Sequence, residues 1–335
     1  MNLFIFFKKQ FIAIIFFAFL IEITLQILFF FEIKFIKQPF LFYNGFCHQK
    51  YWDLNPKTLK FDEEISYHPI LAYKKKLVDI PNKFKKDIKK EEKNFDSSRI
   101  TLYGSSFINH KDFKKIINKD VSKNFNNYAL NSYGLDQIYL SYMLTSHLNQ
   151  NQIIVFGFLL EDLDRSIFER RDYNKPKFSL INNNFKLTNI PIGQDKIKKK
   201  NYDFYLFSFL KNFFELIKYD YDSRLSKCDI DLKKNLFNYF FTNIQLEAEK
   251  YNQKIIVITF NLKEDITKKV SWRHNFVKKY LEENNIVHID ALKIMKEFSA
   301  KNNENVETYF AKDLHNSEKS FKYIINSFQN TYNAM

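Results

Sequence analysis

The sequence predicts an α/β domain with a mostly parallel sheet, carried behind one N-terminal membrane-spanning helix. Three observations predict it. From residue 98 onward, short apolar runs alternate with apolar stripes at helical spacing, the rhythm of a β-α-β chain with right-handed crossovers. Two of the runs, Gln152–Phe158 (QIIVFGF) and Lys254–Phe260 (KIIVITF), are apolar almost without interruption, as strands covered on both faces are. Ahead of them, Phe11–Phe31 is broken only by Glu22, Thr24 and Gln26, and a helix of about 20 such residues crosses about 30 Å of hydrocarbon.

Residues 1–37 read as a cytoplasmic tip and transmembrane anchor. Lys8 and Lys9 precede the apolar run, which holds the N-terminus in the cytoplasm and places the body outside it. No small-residue cleavage pattern follows, so the run reads as an uncleaved anchor and not as a signal peptide. Glu22, near mid-membrane, marks a helix partner or is carried protonated. Residues 38–97 are punctuated by Pro39, Pro56, Pro69 and Pro81, which argues for an extended lead-in. Cys47 lies in it and Cys228 far downstream. In an oxidising compartment the two could pair; free thiols are the other reading.

Residues 98–335 form the α/β domain, with an insertion at about 166–230. Ile100–Gly104 is a strand. Phe113, Ile116, Ile117 and Val121 follow at helical spacing, a second strand ends near Leu130, and Leu135, Ile138, Tyr139 and Tyr142 give a second helix. In the insertion, Asp172–Pro176 reads as loop, Asn182–Asn184 as a hairpin turn and Tyr202–Tyr219 as helix. An insertion here would lie over the carboxyl ends of the strands, where such sheets bind ligands. The rhythm then returns with a helix over Leu232–Lys250, another over Ile266–Leu281 and a strand over Ile286–Ile289. A final helix carries Phe321, Ile324, Ile325 and Phe328 behind a cap at Asn316 or Ser317.

The net charge is +14, with 39 Phe, 20 Tyr and only five Gly. The lysines are scattered among Asn, Ile and Phe throughout, so the charge reflects a bias of the whole sequence. No groove-reading motif accompanies it, and nucleic acid is set aside as a partner. Lys74–Lys76 and Lys198–Lys200 read as solvated surface or as contacts to anionic lipid. Arg165, Arg170 and Arg171 read as solvated surface or as a seat for an anionic sugar. His110 follows the first strand closely and could line a pocket. The other histidines outside the Asp313–His315 pair have no metal-ligand spacing, and neither a metal nor a cofactor is assigned.

Chemistry concentrates at two places. Ile100–Phe107 (ITLYGSSF) is a strand stopping at a glycine, with Ser106 at its tip. Near the other end of the chain, Asp313 and His315 stand two apart on a loop, facing the same way. These are the parts of an acyl-transfer site. His315 would take the Ser106 proton, Asp313 would orient the imidazole, and the backbone N–H groups of Ser106 and of a residue in Ser132–Gly134 would hold the oxyanion.

Gly104–Phe107, Asn127–Gln137 (NYALNSYGLDQ), Ile153–Arg165 (IIVFGFLLEDLDR) and Asp313–His315 occur in the order and spacing of four conserved blocks of the SGNH, or GDSL-type, hydrolase superfamily, which residues 98–330 resemble. The resemblance implies a flavodoxin-like three-layer sandwich, a nucleophile at Ser106 and a base at His315 oriented by Asp313. Ser105 stands where the family name has Asp. The oxyanion glycine of the second block aligns with Ser132 or with Gly134, and Glu161 stands where the third block carries asparagine. The short Asp-x-His is similar to that of bacterial polysaccharide O-acetyltransferases anchored in the inner membrane and facing the periplasm. That resemblance implies a serine esterase or O-acyltransferase acting on acyl esters of an extracytoplasmic glycan or lipid, with a membrane acyl-donor partner. Glu161 motivates the other class, a catalytically inactive protein of this fold serving glycan binding or envelope assembly.

Overall fold

The computed structural model describes residues 2–30, 65–75, 100–120, 125–171, 173–193, 206, 210, 227–263, 265, 270–312 and 315–335. Chain contacts divide it into two compact units, one of residues 1–57, 170–172 and 196–228, the other of residues 58–169, 173–195 and 229–335. The inserted stretch is therefore shared between them.

The first unit holds helix α1 (Asn2–Phe30), in which Ile5–Ile27 is long and apolar enough to cross a bilayer and none of it is buried. Glu22 has partners within the chain. Its carboxylate accepts from Gln26 Nε2 and from the backbone N–H of Leu206, each at 2.7 Å. Cys228 is disulfide-bonded. Cys47, the chain's one other cysteine, lies outside the described residues, as does the expected helix over Tyr202–Tyr219 apart from Leu206 and Leu210.

The second unit opens with a hairpin of strands β1 (Ile65–His68) and β2 (Ala72–Lys75). The proline-spaced lead-in suggested extended chain here. The turn closes because buried His68 accepts through Nδ1 the N–H groups of Ile70 and Leu71, both at 3.1 Å. Tyr67 then ties the hairpin to Ile192, whose own N–H reaches back to Pro69.

Five strands build the central sheet: β3 (Ile100–Gly104), β4 (Phe125–Asn127), β5 (Ile153–Leu159), and, after the insertion, Lys254–Phe260 and Val287–Asp290. The insertion contributes the hairpin of β6 (Lys177–Ile181) and β7 (Asn184–Thr188), so the last two sheet strands are β8 and β9. The order is β9-β8-β5-β3-β4 and every pairing is parallel. Ranked along the chain this is 2-1-3-4-5, the flavodoxin-like doubly wound order, whose ligand crevice opens at the carboxyl ends between the first and third strands. Here those are β3 and β5.

Alternation along the strands gives each face its own cover. Ile100, Leu102, Val155, Ile256 and Ile258 join a buried cluster with Ile116, Ile324, Ile325 and Phe328, from α2 (Lys111–Asp120) and α7 (Glu318–Asn333). The opposite face is aromatic. Tyr103 stacks on Tyr128 and Phe156, and Phe158 meets Phe237 and Phe241. The helices there are α3 (Leu135–Thr145), α4 (Ile230–Lys250) and α5 (Trp272–Glu283), and α6 (Ala291–Asn302) returns to the first face. The expected helix over Ile266–Leu281 is not continuous: Val270 and Ser271 are not helical, and Ser271 caps α5 at Trp272 by accepting the His274 N–H. Ile266 lies outside the described residues. Of the two caps expected for α7, Ser317 performs the task; Asn316 is buried and donates to Ser320 Oγ.

Asparagine does much of the turning. Among the described residues, ten non-glycine residues have positive φ, and seven of them are Asn. Asn182 and Asn183, at φ 51° and 60°, form the two-residue turn of the β6–β7 hairpin, where both positions must be left-handed.

Glycine is kept for closer quarters. Gly104 pairs with Gly157 across β3 and β5, and a Cβ on Gly104 would lie 2.0 Å from the Gly157 carbonyl oxygen. Backbone cannot yield as a side-chain tip can. Gly104→Ala is therefore expected to destabilise the domain by about 3 kcal/mol or more, read as a lower midpoint in urea unfolding.

His288 on β9 bonds Thr259 Oγ1 at 2.7 Å. Burial lowers its pKa to about 4, with Asp290 opposing and His274 assisting. Since the unfolded ring titrates near 6.5, the unfolded chain binds a proton that the native one refuses between about pH 6.5 and 4. Stability held above that window is lost as pH falls through it, by up to about 3 kcal/mol. The stability difference between wild type and His288→Gln should therefore shrink from pH 7 to pH 4.5 in thermal melts.

Candidate active site

β3 ends at Gly104, and the close β3–β5 approach lets the Ser105 N–H reach Gly157 O at 3.2 Å. The chain then turns into one helical turn, Ser106–Asn109. Ile108 fills the space over Gly157, where a Cβ would stand 1.8 Å from Ile108 Cδ1. Half-buried Ser106 is left at the carboxyl edge of the sheet.

His315 comes from the loop before α7. That loop is pinched at its base, with Ser317 N bonded to Tyr309 O and Ala311 N to His315 O, each at 2.8 Å. His315 Nε2 stands 2.9 Å from Ser106 Oγ, across 209 positions of sequence. Phe107 packs against the imidazole at 4.8 Å between centroids, and His110 stacks on it at 5.2 Å with 26° between planes. His110 stacks in turn on Phe321. It thus flanks the histidine of the site. Asp313, the expected orienting carboxylate, lies outside the described residues.

The turn after β5 carries two carboxylates with different surroundings. Glu161 is half-buried and its carbonyl begins the turn, accepting the Asp164 N–H at 2.9 Å. Asp162 is buried, accepts the Leu159 N–H at 2.9 Å and lies 3.3 Å from Arg165 Nε. Its pKa is pushed up to about 6 by burial, against the pull of Arg165 and Ser105. Arg165 also donates through Nη1 to the Ser132 carbonyl at 3.3 Å. It is an internal strut between the third and second blocks, a role that neither reading from sequence gave it. Lys75 differs in the same way, donating to Asn109 Oδ1 and the Asn127 carbonyl, and Lys74 is buried.

In the second block, Ser132 takes a left-handed conformation with φ 64°. Gly134 is buried and begins α3, and its N–H is taken by Gln137 Oε1 at 3.2 Å. A Cβ at Gly134 would meet Asp136 Oδ1 at 2.6 Å. Asp136 is fully buried and paired with Lys175 of the insertion, whose ammonium also donates to the carbonyls of Phe168 and Pro176. The sequence read Asp172–Pro176 as plain loop. A lone lysine beside a proline gives no signal that it will be buried, because its partner is a long-range one. Removing it strands a buried carboxylate, so Lys175→Met should destabilise the domain by about 3–5 kcal/mol, measured by denaturant unfolding.

No protein-family model matches the chain, and no curated protein matches it in sequence. Solved structures do match. A member of the lipolytic G-D-S-L family from Veillonella parvula aligns at 11% identity over 70% of this chain and 98% of its own, with a TM-score of 0.41. The acetyl xylan esterase AlAXEase aligns at 11% identity over 69% of this chain and 98% of its own, with a TM-score of 0.40. A lipase/acylhydrolase from Enterococcus faecalis aligns at 12% identity over 69% and 95%, with a TM-score of 0.33.

Proposed function

We propose that the chain is a membrane-anchored serine esterase or O-acyltransferase working on acyl esters of a glycan or lipid outside the cytoplasm. One observation carries this reading. Ser106 Oγ and His315 Nε2 stand 2.9 Å apart at the carboxyl end of β3, beside the crevice between the first and third strands of a doubly wound sheet. An alcohol within hydrogen-bond reach of an imidazole is the geometry of an activated nucleophile.

In this reading His315 accepts the Ser106 proton as Oγ attacks the ester carbonyl, and Asp313 orients the ring and stabilises the imidazolium. The tetrahedral oxyanion rests on the N–H groups of Ser106 and Ser132. Ser132 is preferred to Gly134 because the Gly134 N–H already bonds Gln137. The leaving alcohol takes the proton from His315, leaving an acyl group on Ser106. Water then gives hydrolysis, and a sugar hydroxyl gives transfer. In this scheme Glu161 takes no part in holding the oxyanion, which is left to two backbone donors. The anchor is α1. A periplasmic body fits both the lysines before α1 and the disulfide at Cys228.

The second reading, a non-catalytic glycan-binding or assembly protein, rests on Glu161 at the place of the family's asparagine. A fluorophosphonate probe and p-nitrophenyl acetate separate the two. The wild type is expected to label and to hydrolyse the ester, Ser106→Ala to do neither, and His315→Ala to lose about 10⁴-fold in kcat. A folded wild type that neither labels nor turns over leaves only the binding role.

A further inference from the structure

The hairpin β1–β2 precedes the α/β domain in sequence, yet its bonds run to the loop that follows β4. Tyr73 OH donates to the Asn131 carbonyl at 2.9 Å, and Tyr133 OH donates back to the Tyr73 carbonyl at 2.6 Å. Lys75 Nζ donates to the Asn127 carbonyl at 3.2 Å and to Asn109 Oδ1 at 3.1 Å, and Asn109 Nδ2 donates to Asn131 Oδ1 at 3.1 Å. Asn109 closes the helical turn that Ser106 opens. One hairpin therefore grips both the nucleophile turn and the loop around Ser132.

The first of these bonds has a geometric effect. The Asn131 carbonyl and the Ser132 N–H belong to one peptide unit, which is planar and trans, so the N–H points opposite to the C=O. Whatever holds the Asn131 oxygen thereby aims the Ser132 N–H. Arg165 holds the carbonyl on the other side of the same residue, so both peptide planes flanking Ser132 are fixed while its φ stays left-handed at 64°.

We infer that Tyr73 is a positioning residue for the oxyanion site: its hydroxyl orients the Asn131–Ser132 peptide so that the Ser132 N–H faces the Ser106 nucleophile, with Lys75 and Asn109 locking that loop to the nucleophile turn. The inference rests on the esterase reading above. A donor held in place before reaction stabilises charge without reorganising, and losing one such donor lowers kcat by about 10²–10³-fold. Loss of its aim, with the donor still present, lowers kcat by about 10-fold or more.

The test uses the full chain in detergent or vesicles, with p-nitrophenyl acetate as substrate. Tyr73→Phe keeps the ring that packs on Tyr133 at 5.1 Å and removes only the hydroxyl. It is expected to lower kcat about 10-fold or more, with KM within about 2-fold, and to speed amide exchange in residues 129–134. Lys75→Met is expected to do the same more weakly, with Lys75→Arg restoring the rate. An active wild type whose Tyr73→Phe variant keeps both its kcat and its exchange protection overturns the inference alone. A fall in thermal stability with unchanged kcat per folded molecule also overturns it. A wild type that is folded but inert overturns the esterase reading and this role together.

Discussion

Where β3 and β5 run side by side, two glycines face each other with no room for a methyl group between them. This contact sets the height of the nucleophile turn. With Gly104 against Gly157, the Ser105 N–H reaches the Gly157 carbonyl and Ile108 drops onto the sheet. The turn is thereby fastened on both sides, and Ser106 is left at the rim. His315 must come to meet it from the far end of the chain. The packing of α7 on α2, through Phe321, Ile324 and Phe328, brings it there. The pair is thus a product of core packing as much as of local sequence.

Around that rim the domain buries charge. Asp136 pairs with Lys175, Asp162 with Arg165, and Asp164 lies between Lys233 and Arg273, all nearly inaccessible except the partly exposed Arg165. Such pairs add little net stability compared with apolar packing, because desolvation offsets attraction. They do fix geometry, since a slipped loop would leave a charge buried without its partner. Here the three acidic residues sit on α3 or on the turn after β5, and their partners come from the insertion, that same turn, α4 and α5. The loops that carry the proposed chemistry are cross-braced by electrostatics in a dry surrounding.

Much of this was legible in the sequence. The uninterrupted strands β5 and β8, the Asn-rich hairpin turn and the glycine before Ser106 each follow from local chemistry, and the Asp-x-His spacing pointed to His315. What escaped reading depended on distant partners. The β1–β2 hairpin hides behind prolines and is closed by a buried histidine cap. Lys75 and Arg165 look like solvated charge until the carbonyls they serve are brought close. The helix read over Ile266–Leu281 is broken at Val270 and Ser271, where Ser271 caps α5, a break that the apolar spacing of Val270 and Val277 does not show. Tyr73 gave no sign of its bond to the Asn131 carbonyl, since nothing in a strand of four residues tells which peptide its hydroxyl will hold.

The scarcity of glycine has a consequence of its own. Asparagine can adopt the left-handed backbone that glycine usually supplies, and in this chain it does so at turn after turn. It cannot shed its Cβ. Where the demand is merely torsional asparagine can stand in, but where atoms from another segment occupy the space only glycine fits. Gly104, Gly134 and Gly157 all stand in such crowded places, and all three border the proposed reaction centre. Gly193, with nothing within 4 Å of its would-be Cβ, lies away from that centre, so among the described glycines steric crowding and the proposed reaction centre go together.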